Sequence, residues 1–137
     1  MSWDAYIQNL MESGQLVDAA ICGCTAGDEY VWASHPGGCL SSITPQEIQQ
    51  LMSKDRKELM AKGVILGGMK CLLIRDGMDD ELEPSMDLKS TGDNCLSITI
   101  AKSDKALVIV TGKTGTHSST VHISANTVAG HLKNCDF

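Results

Sequence analysis

The aromatic residues are the side chains whose types and positions most suggest a binding site. They make up only 4% of the 137 residues. Trp3 and Tyr6 are three positions apart, so they lie side by side if this segment is helical. Rings at helical spacing either close a core beneath a helix or line a surface groove, and both interpretations remain open. The five aromatic residues are Trp3, Tyr6, Tyr30, Trp32 and Phe137.

The position of Phe137 favours a groove. It is the last residue of the sequence, and chain ends are usually exposed to solvent. Grooves of exposed rings bind polyproline II segments, whose preformed shape and free carbonyl groups match flat rings that carry N–H or O–H donors. The aromatic set therefore predicts a proline-rich ligand if the rings meet at the surface.

The cysteines suggest free thiols rather than metal ligands. Cys22 and Cys24 are one residue apart, and no second pair at zinc spacing follows. Cys22, Cys71 and Cys95 lie in apolar runs and are expected to be buried, whereas Cys135 and Cys39 could be exposed and open to oxidation. A redox alternative remains, because residues two apart share one side of a strand and could form a strained disulfide.

Catalysis finds no support in the sequence. The Gly112-Lys113-Thr114 segment resembles the end of a phosphate-binding loop. That loop requires a glycine five residues earlier, where this chain has Leu107. No Ser/His/Asp set or pair of carboxylates stands out either. We therefore expect no enzyme activity, no cofactor and no bound metal.

Length and charge narrow the class of protein. A chain of 137 residues predicts a single domain over 1–137. The net charge of −6 and the pI of about 5.0 argue against nucleic acid as a partner, because phosphate binding requires clustered lysines and arginines. The sequence has no apolar leader and no run long enough to span a bilayer. We expect a cytoplasmic protein.

The elements that must position the rings are helices at both ends and strands between them. The clearest local signal is Thr44-Pro45, with Glu47 two residues on, which predicts a capping box and a helix that begins at Pro45. The predicted helices cover 2–13, 45–53 with a further turn to Lys62, and 119–134. The predicted strands cover 17–23, 30–33, 64–66, 69–75, 85–89, 95–101 and 106–111. Hairpin connections make these strands antiparallel, and the helices can cover both faces of one sheet, which gives an α+β fold.

Motifs in the same order along nearly the whole chain resemble those of the animal members of the profilin family. Each motif is weak alone, but the ordered set is specific. The motifs are Trp3-Asp4-Ala5-Tyr6, Asn9-Leu10-Met11, Asp18-Ala19-Ala20-Ile21, Val31-Trp32-Ala33, Ile43-Thr44-Pro45, Glu47, Lys54-Asp55-Arg56, Leu66-Gly67-Gly68, Lys70-Cys71, Ile74-Arg75-Asp76, Met86-Asp87-Leu88, Gly112-Lys113, Gly115, His117 and His131-Leu132.

The resemblance implies the profilin fold, in which a central antiparallel sheet carries both terminal helices on one face and the small helices on the other. It also implies a monomeric, cytoskeleton-associated regulator of actin polymerisation. Its partners would be monomeric actin, proline-rich proteins and, weakly, phosphoinositide lipids.

The resemblance assigns a proline-rich-ligand site to six residues. Phe137 departs from the tyrosine that animal members usually have, so it keeps the stacking surface but lacks the hydroxyl group. The six residues are Trp3, Tyr6, Asn9, Trp32, His131 and Phe137.

The actin site implied by the resemblance is matched only in part. Lys70, Arg75 and His117 match the family pattern, and Lys89 replaces an arginine. The start of the last helix does not match, since it carries substitutions that remove an expected lysine. Two alternatives remain, a proline-rich-ligand adaptor with weak or lost actin binding and a merely solvated basic strip. The departures are Met60, Ser118, Ser119, His122, Ile123, Asn126 and Thr127.

Phosphoinositide binding would rest on Lys89 and Lys133. A second basic residue expected beside Lys133 is Asn134, and acidic residues lie at 79–81 and at Glu83. Each cation near an anionic membrane contributes only about 1 kcal/mol, so we expect this binding to be feeble.

Overall fold

The computed structural model describes residues 3–82, 84–91 and 95–137. Its centre is a seven-stranded sheet in which every neighbouring pair is antiparallel, in the order β2-β1-β7-β6-β5-β4-β3. The predicted strands are confirmed, with ends shifted by one or two residues. The strands are β1 Leu16–Gly23, β2 Val31–Ser34, β3 Val64–Leu66, β4 Met69–Gly77, β5 Ser85–Ser90, β6 Ser97–Lys102 and β7 Ala106–Gly112.

The helices also lie where the sequence predicts them. Ser2, the expected N-cap of the first helix, falls outside the described residues. A short 3-10 helix at Cys39–Ser42 was not predicted. The α-helices are α1 Trp3–Glu12, α2 Pro45–Leu51, α3 Arg56–Lys62 and α4 Ser118–Asn134.

The predicted capping box starts α2 and also anchors it. Glu47 N donates to Thr44 Oγ1 at 3.2 Å, and Thr44 N donates to Glu47 Oε1 at 3.2 Å. The same carboxylate oxygen accepts a hydrogen bond from Gly67 N at 2.8 Å. One side chain therefore fixes both the start of α2 and the β3–β4 turn.

Two hydrophobic cores lie on opposite faces of the sheet. The helices α1 and α4 cover one face, around Ile21, Val108 and Val110. The other face packs on α2, α3 and the 3-10 helix, around Cys22 and Ile109. Alternate residues of β1 and β7 enter different cores, because successive side chains of a strand point to opposite faces. This arrangement confirms the predicted placement of terminal and small helices.

The cysteines correct one expectation. Cys95 is exposed, because it precedes β6 rather than lying within it. Cys22 and Cys71 are buried, and Cys39 and Cys135 are exposed, as expected. Cys22 and Cys24 are free thiols. Burial, with a smaller effect from Cys24, raises the pKa of Cys22 to about 12, which leaves its thiol protonated and unreactive near neutral pH.

Within the described residues, no helix combines the length and apolar character needed to cross a bilayer.

Candidate functional site

The folded chain gathers five of the six predicted groove residues into one cluster. Trp3 and Tyr6 come from α1, Trp32 from β2 and His131 from the last turn of α4, with Phe137 just beyond that helix. The helix α1 packs on β1 and β2, and α4 packs on β6 and β7 of the same sheet face. The two ends of the chain therefore lie side by side.

Trp3 is the centre of this cluster, which we call the ring groove (Trp3, Tyr6, Trp32, His131 and Phe137). Its ring centroid lies 4.9 Å from that of Trp32, 5.0 Å from Phe137 and 5.9 Å from Tyr6. Tyr6 in turn lies 5.5 Å from the His131 ring. These separations are typical of tilted and edge-to-face aromatic pairs.

Phe137 reaches the groove because α4 ends in a Schellman-type turn. Phe137 N donates to Leu132 O at 2.9 Å and Asp136 N donates to Lys133 O at 3.2 Å, with Asp136 at φ 66°. The main-chain oxygen of Phe137 accepts hydrogen bonds from Ser103 Oγ at 2.7 Å and from Lys105 N. The β6–β7 turn thus fixes the residue that carries the terminal ring.

The ring groove is open to solvent at one side and packed at the other. Tyr6 is buried, Trp3 and Trp32 are half-buried, and Phe137 is 39% exposed. Burial, with a smaller effect from Cys135, raises the pKa of Tyr6, so its phenol stays protonated and can donate. Two indole N–H groups and this hydroxyl give the groove hydrogen-bond donors among flat apolar faces. Such a surface suits a ligand with apolar rings and free carbonyl groups.

The remaining predicted residue, Asn9, is exposed one turn further along α1 and takes part in none of these ring contacts. Tyr30, which is not among the six residues assigned by the resemblance, lines a cavity of about 320 Å³ together with Trp3, Val31, Trp32 and Phe137. Its place beside the Val31-Trp32 motif is the signal that could have found it.

A second candidate surface, which we call the basic face (Lys70, Arg75 and Lys89), lies on β4 and β5. Arg75 and Lys89 line a cavity of about 470 Å³ between these strands and the start of α4, where Ser118, Ser119 and His122 close it. Lys70 is exposed on β4. The structure thus brings Arg75 and Lys89 together beside the changed start of α4.

Asp87 holds the side chains within this cavity. Arg75 Nε donates to Asp87 Oδ2 at 2.7 Å, while Thr99 Oγ1 at 2.9 Å and His122 Nδ1 at 3.1 Å contact Asp87 Oδ1. Burial raises the pKa of Asp87, but the hydrogen bonds from these three groups outweigh it and leave that pKa below its ordinary value. Arg75 also donates to Ser85 Oγ at 2.8 Å. The guanidinium group is therefore held against the sheet.

His117 and Lys133 have local structural contacts. His117 is the N-cap of α4, with its Nδ1 accepting from Ser119 N at 3.1 Å. Lys133 lies near the other end of α4, where its Nζ donates to Leu82 O at 3.3 Å. The cavity that contains Lys89 does not include Lys133, so the two lysines predicted to bind phosphoinositides are not gathered at that cavity.

Comparisons of the sequence and of the structure with known proteins find similarity to the same family. A model of the Profilin family matches residues 1–137. Profilin-1 of Homo sapiens is 41% identical over 138 positions, and Profilin-2 of Rattus norvegicus is 36% identical over 139 positions, each match covering 98% of both chains.

Solved structures agree. Mouse profilin IIa, in complex with a double repeat from the FH1 domain of mDia1, matches with a TM-score of 0.95 and 34% identity over the full length of both chains. LokiProfilin1, solved with rabbit actin, matches with a TM-score of 0.65 at 12% identity over 96% of this chain and 94% of its own, which shows a shared fold. On the whole-chain family match and the identity to the two mammalian profilins, the chain belongs to the profilin family.

Proposed function

We propose that this chain regulates actin polymerisation by binding proline-rich segments in the ring groove and monomeric actin on the basic face. The observation that carries the proposal is the position of Trp3, whose ring centroid lies within 6 Å of three other rings, which come from α1, from β2 and from the residue beyond α4. Mouse profilin IIa, which was solved in complex with a double repeat from the FH1 domain of mDia1, supports the binding of such a segment by a protein of this fold.

The chemistry of the ring groove supports a proline-rich ligand. A polyproline II helix presents prolyl rings and unpaired carbonyl groups, and it loses little entropy on binding because its shape is preformed. The rings of Trp3, Trp32 and Phe137 offer flat contact. The indole N–H groups and the Tyr6 hydroxyl can donate to prolyl carbonyls.

The basic face also carries exposed apolar residues, which supports a protein partner there. On the surface of β4, Lys70, Leu72 and Ile74 are exposed in alternation. Cross-strand pairing sets Ile65 beside Lys70 and Lys89 beside Leu72. Because α4 packs on β6 and β7, this end of the sheet face stays open. Mixed apolar and cationic surface of this kind is typical of interfaces.

An adaptor with weak or lost actin binding is the alternative, and a specific observation favours it. Arg75 is committed to Asp87 and Ser85 within its own sheet, and the start of α4 offers His122 and the exposed Ile123 rather than a lysine. A partner would have to bind beside this network or break it. Breaking an ion pair that is exposed to this degree costs up to about 1 kcal/mol.

Actin assembly in the presence of purified protein distinguishes the two. We expect pyrene-labelled actin to polymerise more slowly as the protein is titrated, and Leu72→Asp to abolish the effect. Leu82→Asp is the control, because Leu82 is exposed outside this surface. If wild-type protein at high concentration leaves assembly unchanged, while still binding a polyproline column, only the adaptor function stands.

The same proposal places the protein with the cytoskeleton and gives it no enzyme activity. Phosphoinositide binding is expected to be slight, because Lys89 and Lys133 are not gathered at one cavity. Co-sedimentation with vesicles that contain phosphoinositides at physiological salt should leave most of the protein in the supernatant. Strong salt-resistant sedimentation would contradict this expectation.

A further inference from the structure

His122, in the second turn of α4, is a titratable group that lines the cavity of the basic face, although the resemblance does not assign it to the actin site. Its Nδ1 lies 3.1 Å from Asp87 Oδ1, and the other oxygen of that carboxylate accepts a hydrogen bond from Arg75 Nε at 2.7 Å. The His122 side chain is 28% exposed, so protons from solvent can reach it. One carboxylate therefore links the imidazole to the guanidinium group.

The contacts around this ring fit a neutral imidazole whose proton is on Nδ1. Asn126 Nδ2 donates to His122 O at 3.0 Å and lies 3.2 Å from His122 Nε2. An amide nitrogen can only donate, so Nε2 is the nitrogen that accepts and Nδ1 is the nitrogen that donates to Asp87. A second proton, on Nε2, would face the amide N–H of Asn126 and break that contact. The two protonation states of His122 therefore differ in their contacts.

Protonation of His122 also changes the charge of the cavity. Two cations and two carboxylates line the cavity while the ring is neutral, so the imidazolium makes it cationic. The β6 side chains there are uncharged, and His117, the N-cap of α4, is not part of the lining. Histidine side chains ordinarily change charge between about pH 5 and 8. Among the described residues, the charged groups that face His122 in the cavity are Arg75 on β4, Asp80 in the β4–β5 turn, and Asp87 and Lys89 on β5.

We propose that His122 is a positioning residue that couples the binding of an acidic protein surface on the basic face to pH. This inference rests on the proposed function of that face. The imidazolium competes with Arg75 for the charge of Asp87, which weakens the Arg75 Nε bond and leaves the guanidinium group freer to meet carboxylates of the partner. It also adds one positive charge to the cavity that contains Lys89. Because opposite charges attract across an interface, the partner binds more tightly as the pH falls and His122 takes up a proton.

Binding of monomeric, polymerisation-blocked actin at about pH 6 and about pH 8 tests this coupling. We expect the wild-type Kd to be about threefold to fivefold lower at the acid pH. His122→Asn keeps a neutral N–H donor near the position of Nδ1 but cannot gain a proton. Its Kd should match the wild-type value at the alkaline pH and should not fall at the acid pH. His35→Asn is the matched control, because His35 follows β2 at the opposite edge of the sheet, and it should keep the wild-type pH dependence.

Nitrogen-15 NMR of the free protein tests the coupling without a partner. In the wild type, the Arg75 Nε–H resonance should shift together with the His122 ring resonances between about pH 5 and 8, and in His122→Asn it should stay fixed. Asn126→Ala removes the amide donor that opposes a proton on Nε2, so it should move the midpoint of this titration to higher pH. A merely structural role for His122 predicts none of these responses.

The two measurements separate this coupling from the proposed function of the basic face. If wild-type protein binds actin but His122→Asn keeps the wild-type pH dependence, or if the Arg75 resonance does not follow His122, the coupling is refuted while actin binding stands. If wild-type protein binds actin at neither pH, the proposed actin function fails, and the coupling fails with it.

Discussion

The ring of Phe137 stands edge-on to the indole of Trp3, with centroids 5.0 Å apart and an interplanar angle of 80°. These residues are separated by almost the whole chain, yet they form the middle of the ring groove. Phe137 N is bonded to Leu132, and the main-chain oxygen of Phe137 to Ser103, so the pair depends on the end of α4 and on the β6–β7 turn. A ligand in this groove therefore contacts residues from both ends of the chain.

Trp3→Ala is expected to abolish retention on a polyproline column. The substitution removes the ring that contacts Tyr6, Trp32 and Phe137, and loss of such a central anchor costs at least about 2 kcal/mol of binding free energy. Met11→Ala is the control, because Met11 packs against the same core from α1. Undiminished retention of the Trp3 variant, with native circular dichroism, would remove the main support for the groove.

Phe137→Tyr is expected to strengthen binding of proline-rich peptides modestly, by about twofold to fivefold. The ring is 39% exposed beside Trp3, so an added hydroxyl group can reach a prolyl carbonyl without burial of an unpaired donor. Fluorescence titration of Trp3 and Trp32 with oligoproline measures the change. Weaker binding would mean that the edge of this ring faces the protein rather than the ligand.

Asp76→Asn is expected to lower the free energy of unfolding at pH 7 by about 2 kcal/mol. Arg56 donates to both carboxylate oxygens of Asp76, at 2.7 and 3.0 Å, and links α3 to β4. These hydrogen bonds lower the pKa of Asp76. Its contribution is therefore complete above the ordinary aspartate pKa of about 3.9 and is lost as the pH falls through the lower folded value.

Urea unfolding of the Asp76 variant at several pH values tests whether the stability contributed by Asp76 is lost as the pH falls. The variant should lose less stability than the wild type between about pH 4 and the acid limit, because it has no carboxylate to protonate. Asp104→Asn, at an exposed turn position, serves as the control with little expected effect. Equal acid sensitivity of the Asp76 variant and the wild type would show that this pair does not govern acid stability.

Gly130→Ala is expected to stabilise the fold by about 0.5–1 kcal/mol. Gly130 lies within α4, and an added Cβ would meet no atom within 4 Å. Thermal unfolding measures the gain. A loss of stability would mean that the helix requires glycine there for a reason beyond packing space.

Gly23→Ala should do the opposite, with a loss of at least about 2 kcal/mol. Its Cβ would overlap the Asp28 carbonyl oxygen and press on Trp32. Because both the Tyr30 turn and Trp32 must shift, oligoproline binding should weaken together with stability. A variant with native stability and native binding would contradict the close packing at this strand.

Features with local causes could be predicted from the sequence. The helix at Pro45 follows from Thr44 and Glu47, whose reciprocal hydrogen bonds lie within four residues. Strand positions follow from hydrophobic runs, and the two-sided sheet from their antiparallel connections. Cys95 shows the limit of this reasoning. The apolar run that contains Cys95 predicts a strand from residue 95, but β6 begins only at Ser97, because hydrophobicity alone does not mark where a strand starts.

The composition of the groove came from motifs matched along the chain, but its geometry required the tertiary structure. Asp136 occupies the left-handed position that ends α4, where glycine would have been the expected signal. The exposure of Tyr30 depends on the closeness of its turn to Gly23.

The network around Asp87 joins Arg75, Thr99 and His122 from three other elements. The sequence by itself determined the helices, the strands and the family pattern, because short-range hydrogen bonds and hydrophobic periodicity depend on residues that are close together in the chain. Only the packed sheet decided which distant side chains meet, because those contacts depend on how every strand and helix fits its neighbours.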